Sequence, residues 1–182
     1  MLVKELESLK AAGELITLHL EGDEEALTGI VHTVNNRVTA MILFSDNGDY
    51  EGWTLLDTSS VTDLFWGNRE HRAIARLIDT SFERVLPMKS RMSFDHSVVE
   101  LGCRLECIGM FTCADEGDEH FTMGRVLEYD GHWLKVQTLG AKDTLSLGWK
   151  MIPRENVVRI EVDSPYMNRL LMLHKAAGEE KI

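Results

Sequence analysis

The sequence predicts a mainly β protein with flanking helices. It is an α+β fold of two tandem five-stranded small barrels, each preceded and followed by a helix. Three observations carry this. Short runs of alternating apolar residues are separated by Gly, Asn and Asp turns; segments of helical period bracket each half; and the chain matches itself in order. Gly29-Ile30-Val31 through Asn36 resembles Gly124-Arg125-Val126 through Gly131 at an offset of 95. Gly52-Trp53 answers Gly148-Trp149, Val61 and Leu64 answer Val157 and Ile160, and Ile74 and Leu77 answer Leu170 and Leu173, all at an offset of 96. One residue is therefore gained in the second half. The reading places a helix-plus-barrel domain at 1–78, a linker at 79–92 and a second such domain with a C-terminal helix at 93–182.

The elements follow in order. Leu6, Leu9 and Ala12 recur at helical spacing among strong helix formers, and Gly13 ends that helix. Its counterpart spans 94–101, with Ser93 or Asp95 as cap and Gly102 as stop. Ile16, Leu18 and Leu20 then share a strand face, as Leu105, Cys107 and Phe111 do in the second half. An acidic connection follows each, at 22–25 and at 114–119. Strands 28–34 and 122–129 lead into Asn35-Asn36 and Asp130-Gly131, residues that tolerate the positive φ of tight hairpins. Val38, Ala40 and Ile42 alternate on the outgoing strand. Leu134, Val136 and Thr138 match them if the extra residue lies in the second hairpin. A strand through each Gly-Trp pair, a turn at 57–60 or 153–156, and a last strand at 61–66 or 157–162 complete each half. Asn68 caps a closing helix at 69–78, and Ser164-Pro165 starts another at 166–177.

Composition bounds the function. With 44% hydrophobic and 27% charged residues the chain has the make-up of a folded globular protein. No apolar run reaches the roughly 18 residues of a membrane span, and the first residues carry no signal-peptide core, so a cytoplasmic protein is expected. The net charge of −11 opposes unspecific binding to phosphates. Three Cys make neither an even disulfide set nor a paired zinc knuckle.

Gly29, Val31, Val34 and Asn35, and again Gly124, Val126, Tyr129 and Asp130, form a Gly-x-Val-x-x-apolar-Asx run into a central hairpin. With the element order, this resembles the Sm-like family of small barrels. The resemblance implies assembly through edge strands and RNA binding by loops. It does not carry RNA contacts over, because Asn35-Asn36-Arg37 and Asp130-Gly131-His132 leave no room for the family's longer Asp-x-x-x-Asn loop. Ser59-Ser60 and Glu155-Asn156 also stand where the family has Arg-Gly or Lys-Gly.

No residue set reads as an enzyme, and no cofactor or metal is expected. Cys103 and Cys107, placed on one strand face, would lie about 13 Å apart, too far to share a zinc ion. The acidic run Asp115–Glu119 lacks the ligand spacing of a calcium loop. His71 and His174 are expected partly exposed on the closing helices, and Trp53 and Trp149 are expected to plug the two cores. Trp66 and Trp133, which have no aromatic counterpart, are candidate partner contacts. Tyr166, Leu170 and Leu171 join them, because with Met167, Met172 and Leu173 they cover more of the last helix than one barrel needs. Arg69, Arg72 and Arg76, with Arg84, Lys89 and Arg91 of the linker, are the candidate anion or RNA contact. The expected function is a non-enzymatic adaptor that binds a protein partner or itself, as a homodimer. The alternative is an Sm-like protein of RNA metabolism.

Overall fold

The computed structural model describes residues 1–21, 25–79, 86, 92–113, 119–139 and 147–176. Among them are ten strands in antiparallel pairs and four α-helices, a mainly β, α+β architecture. The chain divides into two compact units, Met1–Phe94 and Asp95–Ile182.

In the first unit, α1 (Leu2–Ala12) is followed by β1 (Leu15–Leu20), β2 (Leu27–Val34), β3 (Thr39–Phe44), β4 (Tyr50–Leu56), β5 (Val61–Trp66) and α2 (Arg69–Ala75). Gly13 closes α1 in the left-handed conformation, φ 64°, and its N–H reaches back to the carbonyls of Leu9 and Lys10. The strands lie in the order β5-β1-β2-β3-β4. Alternation decides what is buried: Leu6 and Leu9 of α1 pack with Ile16, Leu18, Val31, Met41 and Leu56 of the sheet. Each such side chain contributes about 1.5–3 kcal/mol on burial.

The second unit runs α3 (Phe94–Arg104), β6 (Ile108–Cys113), β7 (Glu119–Tyr129), β8 (Trp133–Leu139), β9 (Leu147–Pro153), β10 (Val157–Val162) and α4 (Pro165–Ala176). Its strand order, β10-β6-β7-β8-β9, is that of the first unit. The hairpins also agree. Asn35 N–H donates to Val38 O and Asp130 N–H to Trp133 O, and each Asx Oδ1 accepts from two backbone N–H groups beyond it. Those two donors hold the Asp130 carboxyl below the usual carboxylate range.

Register relocates the extra residue. Val31 pairs with Met41 and Val126 with Val136, so the offset of 95 continues through the second hairpin. It becomes 96 where Leu43 pairs with Gly52 and Thr138 with Gly148. The gain therefore lies between β8 and β9. In consequence Leu134 and Val136 match Thr39 and Met41, and Trp133 matches Val38.

Other expectations are corrected. Gly102 does not stop α3, which runs on to Arg104; a Cβ there would meet Val126 Cγ2 at 2.4 Å, so the glycine serves close helix-to-strand approach. Cys103 is accordingly helical and exposed, and Cys107 is buried just ahead of β6. The α2 helix ends at Ala75 rather than Ile78, with Leu77 N–H donating to Ile74 O in a closing turn. The linker cations Arg84, Lys89 and Arg91, and the acidic run through residues 115–118, lie outside the described residues.

Candidate functional site

Register builds a polar row on the face of the first unit that α2 covers. Thr28 of β2 pairs with Thr17 of β1, which pairs in turn with Phe65 of β5. The two threonine hydroxyls are 2.9 Å apart, and Thr17 Oγ1 is 2.8 Å from His71 Nε2 on α2. His71 is held there by local structure: Asn68 caps the helix by accepting from His71 N–H at 2.7 Å, and Ile74, one turn on, is buried beside the same sheet. His71 is 5% exposed, and its Nδ1 has no hydrogen-bond partner. Burial depresses its pKa, against the opposing pull of Glu70 and Glu14. His19 meets the edge of Phe65 at 5.6 Å between ring centroids. These groups line a cleft of about 350 Å³, together with Asp46 and Glu70.

The corresponding row of the second unit is Met123, Gly109 and Glu161. Met167 stands where α2 has His71, its sulfur 3.3 Å from the place a Gly109 Cβ would occupy, and Met123, Leu139, Met167 and Leu170 form an apolar cluster. Glu161 does not reach solvent freely; it pairs at 2.9 Å with Arg159, a fully buried side chain whose guanidinium carbon lies 3.5 Å from the Phe111 ring centroid. Sequence periodicity gave no hint of this buried cation.

A second feature is an apolar surface on β8 and β9. Cross-strand pairing of Gln137 with Trp149, Lys135 with Met151 and Trp133 with Pro153 sets these residues on one face. Trp149, Met151 and Trp133 are exposed there, and the polar contributions are Gln137 and the Lys135–Glu128 ion pair at 2.7 Å. Among the described residues β9 pairs with β8 alone.

The sequence-derived candidates separate. Trp66 is exposed on β5, Trp133 at the start of β8, and Tyr166 on α4, beside a smaller cleft of about 240 Å³. Leu171 is half-buried. Leu170, 7% exposed, belongs to its own unit's core. Arg69, Arg72 and Arg76 are exposed, and Arg72 donates to Gly67 O at 2.5 Å. His71 and His174, expected near the surface, are both buried, because each falls on the inward stripe of its helix with Ile74 or with Met167 and Leu170. Trp53 is buried, its ring 4.9 Å from that of His32, but Trp149 in the same register is 66% exposed, so it plugs no core. The position of His32 is taken by Leu127, an exposed residue at the β7 bulge. Among the described residues no set of three or more His, Cys, Asp or Glu could hold a metal ion, and no helix is long and apolar enough to cross a membrane.

Comparison of the chain with protein-family models, with curated proteins and with solved structures returned no match.

Proposed function

We propose that the chain is a duplicated pair of Sm-like small barrels and works in the cytoplasm as a non-enzymatic interaction module, docking a protein partner on β9 and the face beside it. One observation carries the docking surface: Trp149 and Met151 are exposed on a strand whose second edge is unpaired among the described residues. Such an edge accepts an added strand, and neighbouring aromatic side chains supply the apolar anchor. The common strand order and the shared β2–β3 and β7–β8 registers support duplication. The tight Asx hairpins and the charge of −11 favour protein over RNA as the partner.

The test is capture of partners by the tagged chain from its native cells, with and without nuclease, alongside a Trp149→Asp, Met151→Lys variant. A defined protein that survives nuclease and is lost from the variant supports the reading. Light scattering over a tenfold dilution asks whether that protein is a second copy. Enriched RNA, with proteins lost after nuclease, would replace the reading with the RNA alternative.

A further inference from the structure

The cleft under α2 is more polar than packing requires. The second unit seats its closing helix at the same place with Met123, Gly109 and Met167. The first unit uses the His71–Thr17–Thr28 chain and leaves a buried imidazole nitrogen without a partner. A polar group buried and unsatisfied destabilises a fold, so its presence beside open volume points to a ligand that completes it.

The walls state the ligand's charge. Asp46 and Glu70 line the cleft, and neither has an ion pair or hydrogen bond among the described residues. Among the described residues no Lys or Arg lines it; Arg72 on the same helix is turned onto the Gly67 carbonyl. Asp46 also stands near Glu51, where its charge, with those of Glu25 and Asp49, adds to burial in raising the Glu51 pKa. An anion would be repelled here. Phe65 adds an aromatic ring, which favours a cation further.

We propose that this cleft binds an alkylammonium group, with Asp46 and Glu70 taking its charge, the Phe65 ring alongside, and the His71–Thr17 pair hydrogen-bonding the polar remainder of the ligand. With the Nε2 hydrogen given to Thr17, His71 Nδ1 carries a lone pair, an acceptor matched to an N–H donor. The site is independent of the β9 surface. Its ligand is either a free small amine or the lysine side chain of a peptide, and the chemistry is shared.

The experiment is an NMR titration that follows the His19, His71 and Phe65 ring protons. The probes are 1,4-diaminobutane, a blocked Gly-Lys-Gly peptide, and neutral 1,4-butanediol. Saturable shifts with an amine and none with the diol are expected. Asp46→Asn with Glu70→Gln, two exposed positions, should weaken binding at least about tenfold without disturbing the folded spectrum. A tighter diamine identifies a free amine as the ligand, and a tighter peptide identifies a partner's lysine. Equal shifts with the diol, unchanged affinity in the double variant, or no shift with either amine would each overturn the proposal.

Discussion

Gly29→Ala tests how β2 and β3 are held together. The added Cβ would stand 2.1 Å from Ile42 O, 3.0 Å from its carbonyl carbon and 3.2 Å from Leu43 Cα, all main-chain atoms. Ordinary contact begins at 3.4 Å, so the β3 backbone would have to retreat by more than 1 Å. An N–H···O bond of about 2.9 Å does not survive that stretch. Nor is there slack behind, because Ile42 also pairs with Trp53 of β4. Losing about two ladder bonds at about 1 kcal/mol each, with overpacking strain of about 1–3 kcal/mol, places the penalty near 3–5 kcal/mol. Gly13→Ala is the control: its φ of 64° strains any side chain, but no atom lies within 4 Å, and the cost is about 1 kcal/mol of backbone strain. Two units need not unfold together, so residue-resolved hydrogen exchange is the suitable assay. Protection should fall throughout the first unit in Gly29→Ala. A loss no larger than that of Gly13→Ala would refute the close-approach argument, and with it the same account of Gly124, whose Cβ would meet Gln137 O at 2.3 Å.

Arg159→Ala should cost the second unit about 3 kcal/mol in urea unfolding, because Glu161 loses its 2.9 Å partner; Arg159→Met, which keeps the packing on Phe111, should cost less. Burial depresses the pKa of His32, helped by Lys10, and of His71, so the unfolded chain binds more protons than the folded one. Stability from these groups is complete above the ordinary value of 6.5 and falls as pH drops through it toward the folded values; urea midpoints that stay flat there, or rise on acidification, would contradict this. Burial pushes the Cys107 thiol up to about 12, whereas Cys103 is exposed on α3. Alkylation at about pH 8 should therefore label Cys103 early and Cys107 only as fast as the second unit opens, a difference that peptide mass spectrometry reads directly.

Elements with a local cause were legible in the sequence. Gly13, the Asn68 cap and the alternation of Ile16, Leu18 and Leu20 depend on near neighbours, and each stands where its pattern puts it. The hairpins also fall at Asn35 and Asp130, but Oδ1 hydrogen bonds hold them and only Gly131 takes the expected positive φ. What escaped depends on partners distant in sequence. Gly102 reads as a stop because glycine usually is one, and Val126, which makes it a contact point, is 24 residues on. The extra residue has no place that alternation alone can assign, because Leu134–Val136–Thr138 fits either face and only pairing fixes which. Trp149 shares its register with Trp53, but the His32 that meets the Trp53 ring is replaced by Leu127 in the second unit. The His71–Thr17–Thr28 chain joins three elements and has no linear signature at all.

The two units keep their inward rows and change their outward ones. Val31 and Val126, Met41 and Val136, Leu56 and Ile152 are apolar and buried in both, while Thr17 and His71 give way to Gly109 and Met167. Inward rows answer to stability; an outward row that is polar and under-satisfied answers to something else. His71→Met separates the two. If the His–Thr chain exists to hold α2, the methionine removes a hydrogen bond from a helix with little other purchase, and the first unit should lose about 1 kcal/mol. If the chain exists for a ligand, the methionine removes an orphaned nitrogen and restores the packing of the second unit. Stability should then rise by about 1 kcal/mol while amine binding is lost. Thr17 keeps Thr28 as a partner at 2.9 Å in either case, so its hydroxyl does not confuse the comparison. A stabilised variant that no longer binds amines supports the ligand assignment, and a destabilised one returns His71 to the architecture.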